Sequence, residues 1–296
     1  MVSFVAVLAM VAALQAGAVR GTCPVECTCD ERLDLVNCSH GGFDTVPKRE
    51  SGTPTLGDLF TDPYIKKLLL ALTGDKETRR ARELDLSDKN LTALSGSSFE
   101  DFPKLKSLRL DRNRLHEFRA RQPSVLRHLR NLTLSHNLLG PVLTRGAFRA
   151  FASLWWLDLT ANRYRSIEPV ALPESIRRLD MADNPIVTVA PDAFARLDAL
   201  GSLDLGGMAP AMDRGTLYDV FNHLDAVRVL RVGGAESGTL EADTLAHLHL
   251  LDELSLNGLG LATLPAMLFV DTPRLRSLQL VGNRLTRLPR QPLIHL

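Results

Sequence analysis

Leucine returns along this chain at a nearly fixed interval. Leu84-Asp85-Leu86, Leu108-Arg109-Leu110, Leu132-Thr133-Leu134, Leu157-Asp158-Leu159 and Leu179-Asp180-Met181 align with one another. Leu203-Asp204-Leu205, Leu230-Arg231-Val232, Leu254-Ser255-Leu256 and Leu278-Gln279-Leu280 continue the series. Successive starts differ by 24, 24, 25, 22, 24, 27, 24 and 24 residues. Apolar side chains two apart predict a short strand with one buried face. Nine copies at that period predict strands stacked side by side in one parallel sheet, so the architecture is a solenoid.

Other columns recur within the unit. An asparagine follows the first leucine by five residues at Asn113, Asn137, Asn162, Asn184 and Asn283. Its amide can bond backbone groups at the turn after the strand, and repetition makes a ladder that satisfies buried polar groups. An apolar residue returns two positions later, as at Leu91, Leu115, Leu139, Ile186, Leu261 and Leu285. Farther on stands Phe99, Phe148, Phe194 or Phe269, with Leu172 and Leu245 as substitutes, to fill the space behind the sheet. Aromatics are only 5% of the chain against 45% hydrophobic residues, which suits a repeated aliphatic core better than a compact one.

Residues 1–18 read as an export signal. Val2 to Leu14 is apolar except for Ser3, and Ala16-Gly17-Ala18 offers small residues for cleavage. The run is too short for a comfortable membrane span. The only four cysteines follow at once, at Cys23, Cys27, Cys29 and Cys38. Behind an export signal they read as two disulfides rather than a metal site. Spacing permits three pairings, of which Cys27 with Cys29 has the poorest geometry.

With its columns and cysteines together, the chain resembles the extracellular leucine-rich-repeat superfamily, of the typical 24-residue subclass. Cys23-Pro24-Val25-Glu26-Cys27-Thr28-Cys29, then Val36-Asn37-Cys38, then Val46-Pro47, resembles its N-terminal cysteine cap. Toll-type receptors, neuronal adhesion proteins and small proteoglycans share these parts. The resemblance implies disulfides Cys23–Cys29 and Cys27–Cys38. It also implies an α/β solenoid: a curved horseshoe with a concave parallel β-sheet that binds proteins, and an irregular or short-helical convex side. The expected layout is a signal at 1–18, a disulfide cap at 19–47, an irregular insert or degenerate repeat at 48–81, and repeats over 82–296.

Three departures from the pattern stand out. The insert carries the apolar run Ile65 to Leu72 and the basic run Arg79-Arg80-Ala81-Arg82, read as a solvated loop. The asparagine column lapses at Lys89, Met208, Ala235 and Leu259, which predicts the least regular stacking across 206–240. The sequence stops at Leu296 within a repeat, which reads as a fragment whose C-terminal cap and anchor are missing, or as an end capped by a homodimer. A membrane enters the expectation only through such a missing segment.

Function is expected on the strand residues that flank the leucines. The column between the last two leucines reads Asp85, Arg109, Thr133, Asp158, Asp180, Asp204, Arg231, Ser255 and Gln279. The column before it reads Glu83, Ser107, Asn131, Trp156, Arg178, Ser202, Val229, Glu253 and Ser277. Trp156, Asp158, Arg178 and Asp180 lie together there, and an aromatic beside arginine and carboxylates has the composition of an interface hot spot. Of the adjacent pair Trp155 and Trp156, one is expected to pack while the other is exposed. Glycosylation sequons occur at Asn37, Asn90 and Asn131. A glycan on Asn131 would cover the N-terminal part of the concave face.

Catalysis is not expected. The eight histidines are scattered, and no G-x-S-x-G, H-E-x-x-H, P-loop or dinucleotide fingerprint occurs, so neither an enzyme site nor a cofactor is assigned. A net charge of +1 points away from nucleic acid and from anionic membrane. The expected partner is an extracellular protein, bound by a receptor or adhesion module. The alternative is a secreted matrix protein of the small leucine-rich proteoglycan kind, binding collagen or glycosaminoglycan. The concave columns are mixed in sign rather than basic, which favours protein recognition.

Overall fold

The computed structural model describes residues 28–30, 35–37, 80–94, 99, 102–118, 126–149, 151–209, 220–221, 223–234 and 239–287. Residues 1–18, read as an export signal, three of the four cysteines, all but the end of the 48–81 stretch, and residues 288–296 lie outside the described residues. Cys29 lies within a strand, but its side chain is not among those described.

Each leucine motif forms one strand. β1 (Thr28–Asp30) and β2 (Leu35–Asn37) pair antiparallel, and β2 then pairs in parallel with β3 (Glu83–Asp85). The parallel stack continues through β4 (Ser107–Arg109), β5 (Asn131–Thr133), β7 (Trp156–Asp158), β9 (Arg178–Asp180) and β11 (Ser202–Leu205). It ends with β12 (Val229–Gly233), β13 (Glu253–Asn257) and β14 (Ser277–Gln279), giving an 11-stranded sheet. Leu84, Leu108, Leu132, Leu157, Leu179, Leu203, Leu230, Leu254 and Leu278 align in register. All but Leu278 are buried. Burying a leucine side chain stabilises by roughly 1.5–3 kcal/mol, so this one column is a main source of cohesion between repeats. Helix is confined to Val220 and Phe221 among the described residues, so the return half of each repeat is irregular rather than helical.

The return half contains one regular element that the sequence pattern did not announce. β6 (Val142–Leu143), β8 (Ser166–Ile167) and β10 (Thr188–Val189) form a second, three-stranded parallel sheet. It spans the repeats whose main strands are β5, β7 and β9. The phenylalanine column fills the interior as expected, with Phe99, Phe148, Phe194 and Phe269 all buried. Phe118 stacks on Phe148 and Phe151, at centroid distances of 6.1 and 6.0 Å.

The asparagine ladder is built as its chemistry requires. Asn137 donates from Nδ2 to the carbonyls of Leu110 and Leu134, each at 3.0 Å, and its Oδ1 accepts the Leu115 N–H at 3.0 Å. Asn113, Asn162, Asn184 and Asn283 repeat this scheme. Lys89, at the first lapse, is only 3% exposed, and its N–H donates to Asn113 Oδ1.

Where the asparagine is missing, the backbone closes the gap itself. Met208 N–H donates to the Gly233 carbonyl at 2.8 Å, and Ile186 N–H turns to its own Asn184 carbonyl at 2.8 Å. The strands there are the longest in the sheet: β11 has four residues, and β12 and β13 have five each. Within 206–240 the strand β12 pairs in regular parallel register with β11 and β13. Residues 210–219, 222 and 235–238 lie outside the described set. The turn that follows keeps a left-handed position but changes the residue there. Asp88, Arg112, His136, Ala161 and Asp183 hold its left-handed position in the early repeats, and Gly207, Gly234, Gly258 and Gly282 hold it in the later ones.

Candidate recognition face

Strand alternation decides which side chains reach this face. Leu157 and Leu179 point into the core, so Trp156, Asp158, Arg178 and Asp180 point away from it. The parallel register sets Trp156 beside Arg178 and Asp158 beside Asp180. All four residues singled out from the sequence are thus brought together on two neighbouring strands.

Three of them form a closed unit. Asp180 Oδ2 accepts the Trp156 indole Nε1–H at 2.7 Å and the Arg178 Nε–H at 2.7 Å. The Arg178 guanidinium also lies over the Trp156 ring, 5.1 Å from its centroid. Asp180 is 7% exposed, whereas Arg178 is exposed and Trp156 half-buried. A buried carboxylate therefore fixes the rotamers of an indole and a guanidinium that both still face outward. Side chains held in this way lose little conformational freedom on binding.

Asp158 stands beside the unit without joining it. Its Oδ1 accepts the Thr160 backbone N–H at 2.9 Å. Burial pushes its carboxyl above the ordinary aspartate range, and the charges of Asp180 and Asp111 add to the rise. Asp204, one strand further, is raised for the same first reason, with Asp180 and Asp183 adding, while Arg231 and the Gly206 N–H oppose.

A second cluster escaped the sequence reading. Asp111 accepts Thr133 Oγ1–H at 2.6 Å, and Ser135 Oγ–H and N–H at 2.9 and 3.0 Å. Arg109 reaches Asp85 at 3.2 Å and Asp111 at 3.6 Å. The available signal was the column after the second leucine, which holds Ser87, Asp111 and Ser135.

Of the two tryptophans, Trp155 is the exposed one and Trp156 is half-buried. Neither fills the core, because Leu154 and Leu157 occupy it on either side of them. Trp155 is 44% exposed and has two guanidiniums against its ring, Arg130 at 5.1 Å and Arg177 at 5.0 Å from the centroid. Among the sequons, Asn90 is exposed in a left-handed turn conformation. Asn131 is half-buried on β5 in direct register with Trp156. Asn37 lies in β2, and its side chain is outside those described. Among the described residues, no group of three or more His, Cys, Asp or Glu is arranged to hold a metal ion.

Comparison with known proteins agrees with this architecture. A family described as Leucine rich repeat matches residues 79–139. Mouse Tsukushi is 32% identical over 211 residues, covering 67% of this chain and 56% of its own. Mouse podocan-like protein 1 is 37% identical over 136 residues, 44% of this chain and 23% of its own. Human lumican is 26% identical over 208 residues, 62% of this chain and 59% of its own. The matched stretch thus spans little more than half of Tsukushi and lumican, and about a quarter of podocan-like protein 1. Among solved structures, a chain of the octameric complex of Latrophilin 3, Unc5D and FLRT2 superposes with a TM-score of 0.64. It is 20% identical, with 93% of this chain and 81% of that chain covered. A chain of the TLR13–ssRNA13 complex gives 0.58 at 24% identity, over 75% and 36% of the two chains. Both likenesses concern the fold alone.

Proposed function

Because this chain is an extracellular leucine-rich-repeat protein, secreted or carried on the outer face of the plasma membrane, we propose that it recognises a protein ligand on its strand face. Trp156, Arg178 and Asp180 form the anchor, with Asp158 beside them. The observation that carries this reading is the shared Asp180 oxygen, which holds an outward indole and guanidinium in one fixed arrangement. Rigid aromatic and arginine anchors dominate interface energetics. Proteins built of such repeats are generally non-enzymatic, and no catalytic family is indicated. The setting is a receptor or adhesion protein. A secreted matrix protein of the small leucine-rich proteoglycan kind is the second reading, favoured by the similarity to Tsukushi, podocan-like protein 1 and lumican. It would use the same face.

The test is a binding screen of the full chain against a panel of purified secreted proteins and receptor ectodomains. A genuine ligand should lose roughly 30-fold or more in affinity with Trp156→Ala, the loss typical of a hot spot. Asp180→Asn should lose less, because the amide still accepts the indole. Ligands that bind Trp156→Ala undiminished, and are lost instead on Arg149→Ala of the return half, would move recognition off this face.

A further inference from the structure

One residue before each strand, the backbone forms a ladder of its own. Lys106 N–H donates to the Arg82 carbonyl at 2.6 Å, Arg130 to Lys106 at 2.7 Å, Trp155 to Arg130 at 2.8 Å, and Arg177 to Trp155 at 2.8 Å. Gly201, Arg228, Asp252 and Arg276 continue it at 2.9, 2.8, 2.8 and 2.8 Å. These residues therefore make a single column along one flank of the sheet. Neighbouring rungs are one strand spacing apart, about 4.8 Å.

The column is basic although the chain is nearly neutral. Arg82, Lys106, Arg130, Arg177, Arg228 and Arg276 stand against one acid, Asp252, in a protein of net charge +1. From Arg82 to Arg177 the rungs include no acid, and the four steps span roughly 19 Å. Off the column, Arg109, Arg112, Arg178, Arg196 and Arg231 each lie within 4.0 Å of a carboxylate, and on it Arg228 pairs with Asp252. Among the described residues, Lys106, Arg130 and Arg177 have no such partner. Instead, Arg130 and Arg177 each lie against the exposed Trp155 ring, 5.1 and 5.0 Å from its centroid. The indole holds two like charges side by side and in place, with their donors free for a ligand.

We propose that this flank binds a sulfated polysaccharide chain, which runs along the stack over Arg82, Lys106, Arg130, Trp155 and Arg177. A one-residue-wide column of cations, one rung apart from Arg82 to Arg130 and resuming at Arg177 past Trp155, matches a linear polyanion. Guanidiniums suit oxyanions because their donors bind two oxygens at once. A single-stranded nucleic acid would need aromatic rings on which successive bases stack, and the column from Arg82 to Arg177 offers one, Trp155, with two guanidiniums already against it. A membrane is disfavoured because the anionic leaflet lies on the cytoplasmic side, while this protein is extracellular. The concave face was expected to carry mixed charge, and it does. The basic stripe lies one column to the side, where the sequence columns chosen for binding did not extend.

The test measures the full chain on immobilised heparin across a salt series. Wild type should bind at 0.15 M salt. The double variant Arg130→Ala/Arg177→Ala should lose at least tenfold in affinity and show a salt slope shallower by about one to two. Arg149→Ala/Arg196→Ala, on the return half, should stay within twofold. Both variants should keep the wild-type unfolding midpoint, since all four side chains are exposed. Heparan sulfate should compete, and desulfated heparin, polyglutamate and single-stranded RNA should not. Absence of heparin binding, equal loss in the two double variants, or equal competition by polyglutamate or RNA would overturn the proposal. None of these outcomes bears on Trp156, so the concave reading stands or falls separately.

Discussion

The asparagine ladder predicts that neighbouring rungs lose stability together rather than independently. Consider Asn137→Ala and Asn162→Ala. Asn137 alone caps the Leu115 N–H, and Asn162 alone caps the Leu139 N–H. Each single variant therefore orphans one buried amide, at about 1–3 kcal/mol. The carbonyls behave differently, because each is shared. Leu134 O accepts from Asn137 at 3.0 Å and from Asn162 at 2.9 Å. Either single variant leaves it one donor. The double variant removes both, and no other donor reaches this carbonyl among the described residues. Orphaning it adds a further cost of about 1–2 kcal/mol beyond the sum of the singles. The control pair is Asn113→Ala with Asn184→Ala, which share no carbonyl. That pair should add to within about 0.5 kcal/mol. Equilibrium urea unfolding of the two double-mutant cycles measures both couplings. If the adjacent pair is as additive as the distant pair, the shared carbonyl is not what links the rungs.

Other consequences can be checked more briefly. Gly234→Ala should destabilise by about 3 kcal/mol or more, since φ is +89° and the new Cβ would sit 2.6 Å from the Met208 carbonyl oxygen. Gly258→Ala, at φ +67° with nothing nearer than 3.6 Å, should cost about 1 kcal/mol; equal losses by thermal unfolding would remove the steric argument. The raised Asp158 carboxyl means that the native state binds a proton more readily than the unfolded chain, so this group's contribution to stability falls as pH rises above the ordinary aspartate range. Asp158→Asn should therefore raise the unfolding midpoint at pH 7, with the gain shrinking toward pH 4; a gain that grows on acidification would reverse the assignment. Peptide mass mapping of secreted protein should find Asn90 glycosylated and Asn131 bare, because a glycan on Asn131 would stand one strand from Trp156. Full occupancy of Asn131 would exclude the proposed anchor.

The features legible from sequence were those that every repeat must satisfy separately. A buried strand face demands Leu157 and Leu179, and an orphaned turn demands Asn137 and Asn162, so both columns print themselves at a constant interval. The composition of the candidate site was legible for the same reason, since register fixes which residues become neighbours. Its wiring was not. Asp158 and Asp180 occupy equivalent positions, and only side-chain geometry assigns the indole and guanidinium to Asp180. The cluster on Asp111 needed three strand columns rather than two. The flank column was hidden because its residues sit just outside the alternating motif, in a position that reads as filler. β6, β8 and β10 are only two residues long, too short for any alternation to show. At Met208, the loss of a side-chain partner reads as irregular stacking, whereas its N–H bonds the Gly233 carbonyl and β11, β12 and β13 are the longest strands of the sheet.

The small second sheet has a mechanical meaning. A coil of repeats bends when one wall is pinned at strand spacing and the other is free to spread. Over the turns containing β5, β7 and β9, both walls are hydrogen-bonded ladders with the same rise. Hydrogen bonds on both walls make that stretch resist flexing more than a turn bonded on one wall alone. Trp156, Arg178 and the Trp155 clamp are all mounted on it. A partner meeting them encounters a plate whose shape is already set before contact.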